Sequence, residues 1–333
     1  MVVKKTFYCA VVLILFGLTG YGCGPSAFLI RPVPAKEDLK ERTIQKDEGL
    51  FVPNKIAVID VDGVMMNQRR SGLFGGGENP VSIFVEKLDK AHYDRNVKAV
   101  VLRLNTPGGS VSASDQMYHA LKEFKQKSHK PVIACMLGVT ASGGYYLACG
   151  SDGIVAQPSS VTGSIGTIMQ TISLKGTMDK LGIKAVAIKS GTLKDIGSPL
   201  KDLNTEEELV LKEIITQFYE QFLEVVLEGR KGLKEQKLRE LADGRVYTAK
   251  QAMENGLIDR IGYPDDAIKW AKKMAHVEKA KVVIYHRPID YKPNVYGRAS
   301  NPIEVGALVN VELPGWLKAE GPQFLYLWQP ELD

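Results

Sequence analysis

Two stretches of the sequence decide the fold, and each joins an apolar run to a glycine turn. The first reads VKAVVLRLNTPGGS over residues 97–110, and the second reads PVIACMLGVTASGG over residues 131–144. The β-branched and apolar residues of both runs predict buried strands. Helical patterns follow over residues 112–125 and 142–149. This alternation of strand and helix predicts an α/β fold with a buried, largely parallel sheet.

Further elements lie on both sides of these stretches. Residues 56–61 predict another buried strand, and residues 185–188 predict a short one downstream. The clearest helix covers residues 205–228, because apolar residues recur there every three or four positions along one face. Beyond about residue 279 the periodicity fades and prolines recur, which predicts an extended tail.

The N-terminus has the order of an export signal. Lys4 and Lys5 precede an apolar run over residues 7–18, and Gly22 and Cys23 follow it. A run of about 12 residues is shorter than the roughly 20 that cross a bilayer as a helix. Because the cysteine follows small residues, the segment is similar to a bacterial lipoprotein signal and predicts lipidation at Cys23. An uncleaved anchor and plain secretion stay open as alternatives.

These patterns divide the chain into four parts. Residues 1–23 are predicted to be a signal peptide or lipoprotein signal. Residues 24–54, rich in proline, lysine and glutamate, are predicted to be a tether. Residues 55–275 form the predicted catalytic domain. Residues 276–333 form a C-terminal extension whose role the sequence leaves open.

The composition excludes several classes of function. The 333 residues carry a net charge of +5, and no basic run is interleaved with aromatic residues, so nucleic-acid binding is not expected. No CxxC or HExxH pattern offers a metal site, and we expect no cofactor. Cys135 and Cys149 lie in apolar surroundings and are predicted to be buried free thiols.

The two glycine turns indicate acyl-transfer chemistry. Backbone N–H groups at a helix start favour negative charge, and two such turns on neighbouring strands predict an oxyanion hole. Ser142 lies at the second turn, between small residues, and is the candidate nucleophile. None of the histidines falls in a glycine-rich or strand-end setting, so a Ser-His-Asp triad is poorly supported. The histidines are His92, His119, His129, His276 and His286.

A lysine is the alternative base. Lysine removes a proton only when it is neutral, and desolvation favours that form. Lys194 ends the segment SGTLK, residues 190–194, which follows the predicted strand at residues 185–188. It is the candidate general base. Lys189 and Lys201 stay open as rivals on spacing alone.

Five motifs in order make the chain similar to a known family. They read NTPGGS, ASGGYY, TGSIG, SGTLKD and DGRVYT and begin at residues 105, 141, 162, 190 and 243. Over about residues 55–263 the chain resembles signal peptide peptidase A, a family of Ser-Lys peptidases. The resemblance implies the Clp protease/crotonase-like fold, with stacked, largely parallel β-sheets and surrounding helices.

The resemblance also implies a role for each site residue. Ser142 is implied to be the nucleophile and Lys194 the general base. Gly109 and Gly143 are implied to supply the N–H groups of the oxyanion hole. Ser164 matches the family's second serine, which helps to hold the lysine.

The expected function follows from this assignment. We expect a membrane-associated serine endopeptidase that cleaves short apolar peptides, such as released signal peptides, through an acyl-enzyme. It is expected on the exported, periplasmic side of the cytoplasmic membrane, as a lipoprotein if Cys23 is modified, and as a homo-oligomeric ring. A crotonase-like acyl-CoA enzyme and an inactive peptide-binding scaffold are the alternatives. The export signal argues against the first, and the intact pair Ser142 and Lys194 argues against the second.

Overall fold

The computed structural model describes residues 38–68, 71–72, 75–76, 78–287 and 324–328. Within them the strands are β1 (Lys40–Lys46), β2 (Lys55–Asp62), β3 (Ser71–Gly72), β4 (Gly75–Gly76), β5 (Val97–Thr106), β6 (Gly108–Ser110), β7 (Val132–Ala141), β8 (Gly153–Ala156), β9 (Val161–Gly163), β10 (Ile168–Met169), β11 (Val246–Thr248), β12 (Arg260–Ile261), β13 (Lys281–His286) and β14 (Phe324–Leu327). The helices are α1 (Pro80–Tyr93), α2 (Val111–Ser128), α3 (Gly143–Ala148), α4 (Lys175–Lys180), α5 (Thr205–Gly229), α6 (Glu235–Leu241), α7 (Ala249–Glu254) and α8 (Pro264–Met274).

One large sheet carries the fold. Its strands lie in the order β1-β13-β2-β5-β7-β8-β12, with β9 also paired to β7 and β11 to β9. All of these pairings are parallel except β1 with β13 and β9 with β11. A parallel sheet is covered on both faces, which explains the unbroken apolar runs in β5 and β7. The α/β class with a largely parallel sheet is therefore confirmed.

The core has two layers, one on each face of this sheet. Along β2, Ala57 and Ile59 face the larger cluster, which α1, α2, α3 and α5 cover. Ile56 and Val58 face the opposite cluster, which α8 covers. This alternation follows from the two-residue period of a strand. Because β5 and β7 are adjacent and parallel, the turns that follow them lie side by side at the same edge of the sheet.

The ends of the chain differ from the sequence prediction. Strand β1 lies within the segment 24–54 that was predicted to be a tether, and β13 lies within the predicted extension 276–333. The two strands pair with each other, from Lys40 opposite His286 onward, and β13 also pairs with β2. β1 is polar and exposed at the sheet edge, so its sequence gives a weak periodic signal; β13 is apolar but short, and its sequence does not reveal its partner strands. The predicted signal at residues 1–23, with Cys23, lies outside the described residues.

Residues 185–188 form no strand in the structure, contrary to the sequence prediction. Val186 is 85% exposed and Ile188 is fully exposed. An apolar run becomes a strand only when a neighbouring strand pairs with it, and no described strand lies beside these residues.

Two further predictions concern the cysteines and the membrane. Cys135 and Cys149 are free and buried, as predicted. Burial raises the pKa of both thiols to about 12, so they stay protonated at neutral pH. Among the residues that the structure describes, no helix combines the length and apolar character needed to cross a membrane.

Candidate active site

Ser142 lies where β7 turns into α3. Its φ of 52° and ψ of −118° are strained for a residue with a side chain, and such strain is typical of functional sites. Two hydrogen bonds hold the turn. The Ser142 N–H donates to the carbonyl of Gly163 at 2.7 Å, and the Tyr146 N–H donates to the Ser142 carbonyl at 2.9 Å. Ser142 is only 1% exposed, so its hydroxyl lies in an enclosed site.

Gly143, the first residue of α3, has no room for a side chain. A Cβ there would lie 2.3 Å from the Ser114 Oγ. Ser114 is buried on α2 and donates from its Oγ to the Ser110 carbonyl at 3.0 Å. Helix α2 therefore packs directly against the start of α3, and only glycine permits that approach.

The glycine turn after β5 is fixed by Met65. The Met65 N–H donates to the Gly108 carbonyl at 2.8 Å, and the Ser110 N–H donates to the Met65 carbonyl at 2.9 Å. A Cβ at Gly109 would lie 1.8 Å from that same Met65 carbonyl oxygen. Gly108 has a φ of 102°, which favours glycine.

The two turns converge on one peptide carbonyl. A Cβ at Gly108 would lie 2.0 Å from the Tyr326 carbonyl oxygen and 2.7 Å from the Gly143 amide nitrogen. Strand β14 pairs antiparallel with β6, with Tyr326 opposite Gly109, and the Trp328 N–H donates to the Pro107 carbonyl at 2.8 Å. Hydrogen-bonded pairs alternate along such a ladder. The Gly109 N–H thus faces the Tyr326 carbonyl oxygen, and a Cβ at Gly143 would lie 3.1 Å from the same oxygen.

Ser164 lies beside Ser142 on the neighbouring strand. Ala141 and Gly163 are partners in the β7–β9 ladder, and the two serines follow them. Ser164 also has a positive φ, of 50°, and its N–H donates to the Arg245 carbonyl at 2.8 Å. Within the described part of the chain, neither serine hydroxyl makes a hydrogen bond. Both are thus available to a further group.

Lys194 lies elsewhere, on an exposed segment. Its N–H closes a turn onto the Gly191 carbonyl at 3.2 Å, and its side chain is exposed. In the ranges that the structure describes, that side chain makes no hydrogen bond or ion pair, and none with Ser142. The structure therefore brings together Ser142, Ser164 and the two glycines, but not Lys194.

The rival lysines are already engaged in ion pairs. Lys189 and Lys201 bind the same oxygen of Asp195, at 2.7 and 2.8 Å. Lys201 also binds the buried carboxylate of Glu207. The hydrogen bond with Asp195, followed by the one with Glu207, raises the pKa of Lys201 and stabilises its charged form. A charged lysine cannot take a proton, so Lys201 is a poor base.

Sequence reasoning missed several residues of this site. Met65 acts through its backbone and Ser114 through its side-chain hydroxyl, and such close contacts leave no pattern in a single sequence. Tyr326 had a signal, since the apolar run at residues 324–328 interrupts a proline-rich tail. Five apolar residues between prolines are consistent with a short strand.

Several known proteins are similar in sequence to this chain. Residues 124–278 match the profile of Peptidase family S49. A protein of Enterococcus faecium named as a signal peptide peptidase is 37% identical over 264 residues, which cover 79% of this chain and 74% of that protein. The chain belongs to peptidase family S49. This confirms the predicted resemblance to signal peptide peptidase A and, with it, the Clp protease/crotonase-like fold.

Two other S49 relatives agree with this assignment. A protein of Synechocystis named as a protease is 36% identical over 228 residues, covering 68% of this chain and 77% of that protein. Protease 4 of Haemophilus influenzae is 34% identical over 235 residues, covering 69% of this chain and 36% of that protein. The S49 chain is a serine peptidase, and the turn that carries Ser142 lies within the matched residues.

Proposed function

We propose that this S49 chain is a membrane-associated Ser-Lys endopeptidase that cleaves short apolar peptides, such as released signal peptides. One observation carries the proposal. The peptide carbonyl of Tyr326 faces the Gly109 amide and approaches Gly143, where a Cβ would lie 3.1 Å from its oxygen, at the turn that bears Ser142. This is the position that the carbonyl of a bound substrate occupies before attack.

The proposed reaction uses the two turns together. The Ser142 Oγ attacks the carbonyl carbon, and its proton passes to the neutral amine of Lys194. The amides of Gly109 and Gly143 bind the oxyanion. The C–N bond then breaks, the lysine returns the proton to the leaving amine, and an acyl-enzyme remains. Water, deprotonated by the same lysine, hydrolyses that ester and releases Ser142.

Lys194 is proposed to reach Ser142 from a neighbouring copy of the chain. The segment that bears Lys194 exposes a run of large apolar side chains, including those of Leu181, Ile183, Val186 and Ile188. Exposed apolar surface of this kind is typical of a protein interface. Docking against a second copy would bury these side chains and carry Lys194 with them. When each copy uses one patch to contact a different patch on the next copy, the repeated contact closes into a ring.

The enclosed site suits a lysine base. Ser142 is buried, and the free hydroxyl of Ser164 lies beside it. An ammonium group entering this site loses hydration, which favours the neutral amine. The Ser164 hydroxyl is proposed to orient that amine. The ion-paired Lys189 and Lys201 are not free to play this part.

The substrate class and location follow from the surroundings of the site. The rings of Tyr146 and Phe222 pack against the ring of Tyr326, so this part of the site fits apolar peptides better than charged ones. A lipid on Cys23, or an uncleaved anchor, would hold the enzyme at the periplasmic face of the cytoplasmic membrane. Tethering there raises the effective concentration of membrane-bound peptides.

A fluorophosphonate probe tests the nucleophile. We expect the full-length protein to be labelled at Ser142, because the probe mimics the tetrahedral intermediate and fits the same oxyanion hole. Peptide mapping by mass spectrometry locates the label, and Ser142→Ala is the matched control. Labelling of the Ser142→Ala variant at the wild-type rate, or labelling of the wild type at another residue, would contradict the proposal.

A further inference from the structure

Three buried threonines lie side by side near the ends of the strands that carry the site. Thr106 on β5 is paired with Thr140 on β7, and Thr140 is paired with Thr162 on β9. All three are 0% exposed. Thr140 and Thr162 each precede a serine of the site by two residues, Ser142 and Ser164. These three residues are called the threonine row below.

Each hydroxyl of the threonine row donates to a carbonyl of the neighbouring element on the same side. The Thr162 Oγ1 donates to the Thr140 carbonyl at 2.6 Å, and the Thr140 Oγ1 donates to the Leu104 carbonyl at 3.0 Å. The Thr106 Oγ1 donates to the carbonyl of Gly63, just after β2, at 2.5 Å. Side-chain hydrogen bonds thus join four segments of the chain at buried positions, where such bonds are strong.

The threonine row lies where the backbone pairing between β5 and β7 is interrupted. Residues 137–139 of β7 bulge out opposite Asn105 of β5, and at this bulge β7 exchanges its neighbour β8 for β9. Bulges re-aim the residues that follow them and are frequent beside active sites. Thr140 is the residue at which β7 pairs with β5 again. Its hydrogen bond to Leu104 therefore fixes the direction in which the chain enters the turn at Ser142.

The threonine row also contacts both glycine turns. A Cβ at Gly144, in the first turn of α3, would lie 2.7 Å from the Thr106 Cγ2 and 3.4 Å from the Thr140 Cγ2. The methyl groups of the row therefore pack against the start of α3. The Gly108 N–H, in the other turn, donates to the Thr106 Oγ1 at 3.1 Å.

We propose that the threonine row aligns the site: its hydroxyl hydrogen bonds hold the Gly109 amide and the Ser142 hydroxyl at one height above the sheet, so that both meet the same substrate carbonyl. The two groups follow different strands, so bonds between those strands set their relative position. A misplacement of about 1 Å can lower a rate about 100-fold. The three threonines are thus positioning residues. Their part in the reaction rests on the proposed function, whereas their part in holding the turns does not.

Two variants at Thr140 separate the hydrogen bond from the packing. Thr140→Val removes the hydroxyl and keeps the methyl group, whereas Thr140→Ser does the reverse. With quenched apolar peptides as substrates, Thr140→Val should lower kcat about 10- to 100-fold and leave KM within about two-fold, because misplaced groups bind the transition state less well than the substrate. Thr140→Ser should keep kcat within about three-fold of the wild type.

The matched control is Thr216→Val on α5. The exposed hydroxyl of Thr216 also donates to a backbone carbonyl, that of Lys212, at 2.8 Å, and its loss should change neither kcat nor KM. Thr140→Val should stay folded, since loss of one buried hydrogen bond lowers the melting temperature of a domain of this size by about 2–8 °C. An equal loss of kcat in Thr140→Ser and Thr140→Val, or a loss confined to KM, would overturn the proposal.

Hydrogen exchange tests the alignment without catalysis. In the full-length Thr140→Val protein, the amides of residues 141–146 should exchange about three- to ten-fold faster than in the wild type, because one hydrogen bond fewer holds the turn. Thr216→Val should match the wild type over the same residues. Unchanged exchange in Thr140→Val would overturn the proposal whether or not the protein is active.

The two measurements separate this proposal from the proposed function. A wild type that neither cleaves peptides nor reacts with the fluorophosphonate probe at Ser142 would refute the peptidase and, with it, the catalytic part of the threonine row. The exchange rates would then still decide whether the row holds the turn. Faster exchange in Thr140→Val with an unchanged kcat would retain the peptidase and refute the alignment.

Discussion

The nucleophile turns and the base segment differ in how completely contacts within one chain fix them. The nucleophile turns, residues 106–110 and 141–144, are buried, and close backbone contacts fix each glycine. The base segment, residues 183–203, has neither helix nor strand and is largely exposed. Its contacts are surface ion pairs at Asp195. The folded chain thus holds the proposed oxyanion hole and Ser142 in place, while the proposed base lies on a segment that we propose contacts a neighbouring copy.

The largest effects are expected at the two proposed catalytic residues. Ser142→Ala and Lys194→Ala should each lower peptide hydrolysis by at least about 1000-fold, because nucleophile and base act as one unit. Thermal melting should show both variants folded. Lys189→Ala is the matched control and should retain activity, since its side chain pairs with Asp195 instead.

Mixing these two inactive variants sharpens the comparison. If Ser142 of one copy uses Lys194 of its neighbour, random mixed assemblies contain some sites with both residues intact. An equimolar mixture, dissociated and reassembled, should recover about a quarter of wild-type activity. No recovery, in assemblies shown to exchange subunits, would place the base within the same chain.

Glycine-to-alanine substitutions in the two regions should differ in their effect on the stability of the protein. At Gly109 an added Cβ meets the Met65 carbonyl oxygen, so Gly109→Ala must displace backbone and should cost about 3 kcal/mol of unfolding free energy. Activity should also fall about 100-fold, because the displaced Gly109 amide would no longer bind the oxyanion. At Gly191, in the base segment, an added Cβ meets nothing within 4 Å, so Gly191→Ala should change neither stability nor activity. Equal melting temperatures for the two variants would contradict the contrast.

A charge in the apolar part of the base segment tests its role in assembly. Ile188 is fully exposed in the single chain, so Ile188→Asp should not lower the stability of the monomer. It should weaken assembly, since a carboxylate would be buried at the interface, and activity should fall about ten-fold or more. Sedimentation velocity measures the assembly, and Lys180→Asp, at the end of α4, is the control for added negative charge.

The smallest effect concerns the ion pairs that hold the base segment. The hydrogen bonds from Lys189 and Lys201 lower the pKa of Asp195 to about 2, below the roughly 3.9 of an unfolded chain. The stabilisation is therefore complete above about pH 4 and is lost as the pH falls through 2. At pH 4, Asp195→Asn should make the segment about two- to five-fold more sensitive to pepsin than the wild type. That difference should shrink towards pH 2, and a difference that stays constant would refute the assignment.

The parts that sequence predicted well are those with local causes. The helix predicted over 205–228 is α5, Thr205–Gly229, because one apolar stripe and an acidic first turn define it. Asn204 and Glu207 form its capping box. The turn at Ser142 was predicted because small residues follow a buried strand.

The parts that sequence missed have non-local causes. Residues 185–188 are apolar enough for a strand, but an apolar run does not reveal whether the element that packs against it belongs to the same chain. β13 and β14 pair with strands far away in sequence, and a single short run carries no mark of its partner. The role of Ser164 came only from the family motifs, and that of Lys194 came from its position after a predicted strand together with those motifs. Both roles stay predictions, because no contact joins the two residues within the described chain.

The position of β13 has a consequence for how the protein is made. β13 lies between β1 and β2, although it comes last of the three to leave the ribosome. Until residues 281–286 emerge, β1 has no strand to pair with, and β2 pairs with β5 alone. The sheet is completed only when these residues arrive, and such long-range pairing is slow. A polypeptide threaded through a membrane must stay unfolded during transit, and for the proposed exported enzyme this topology would delay folding until almost all of the domain has passed.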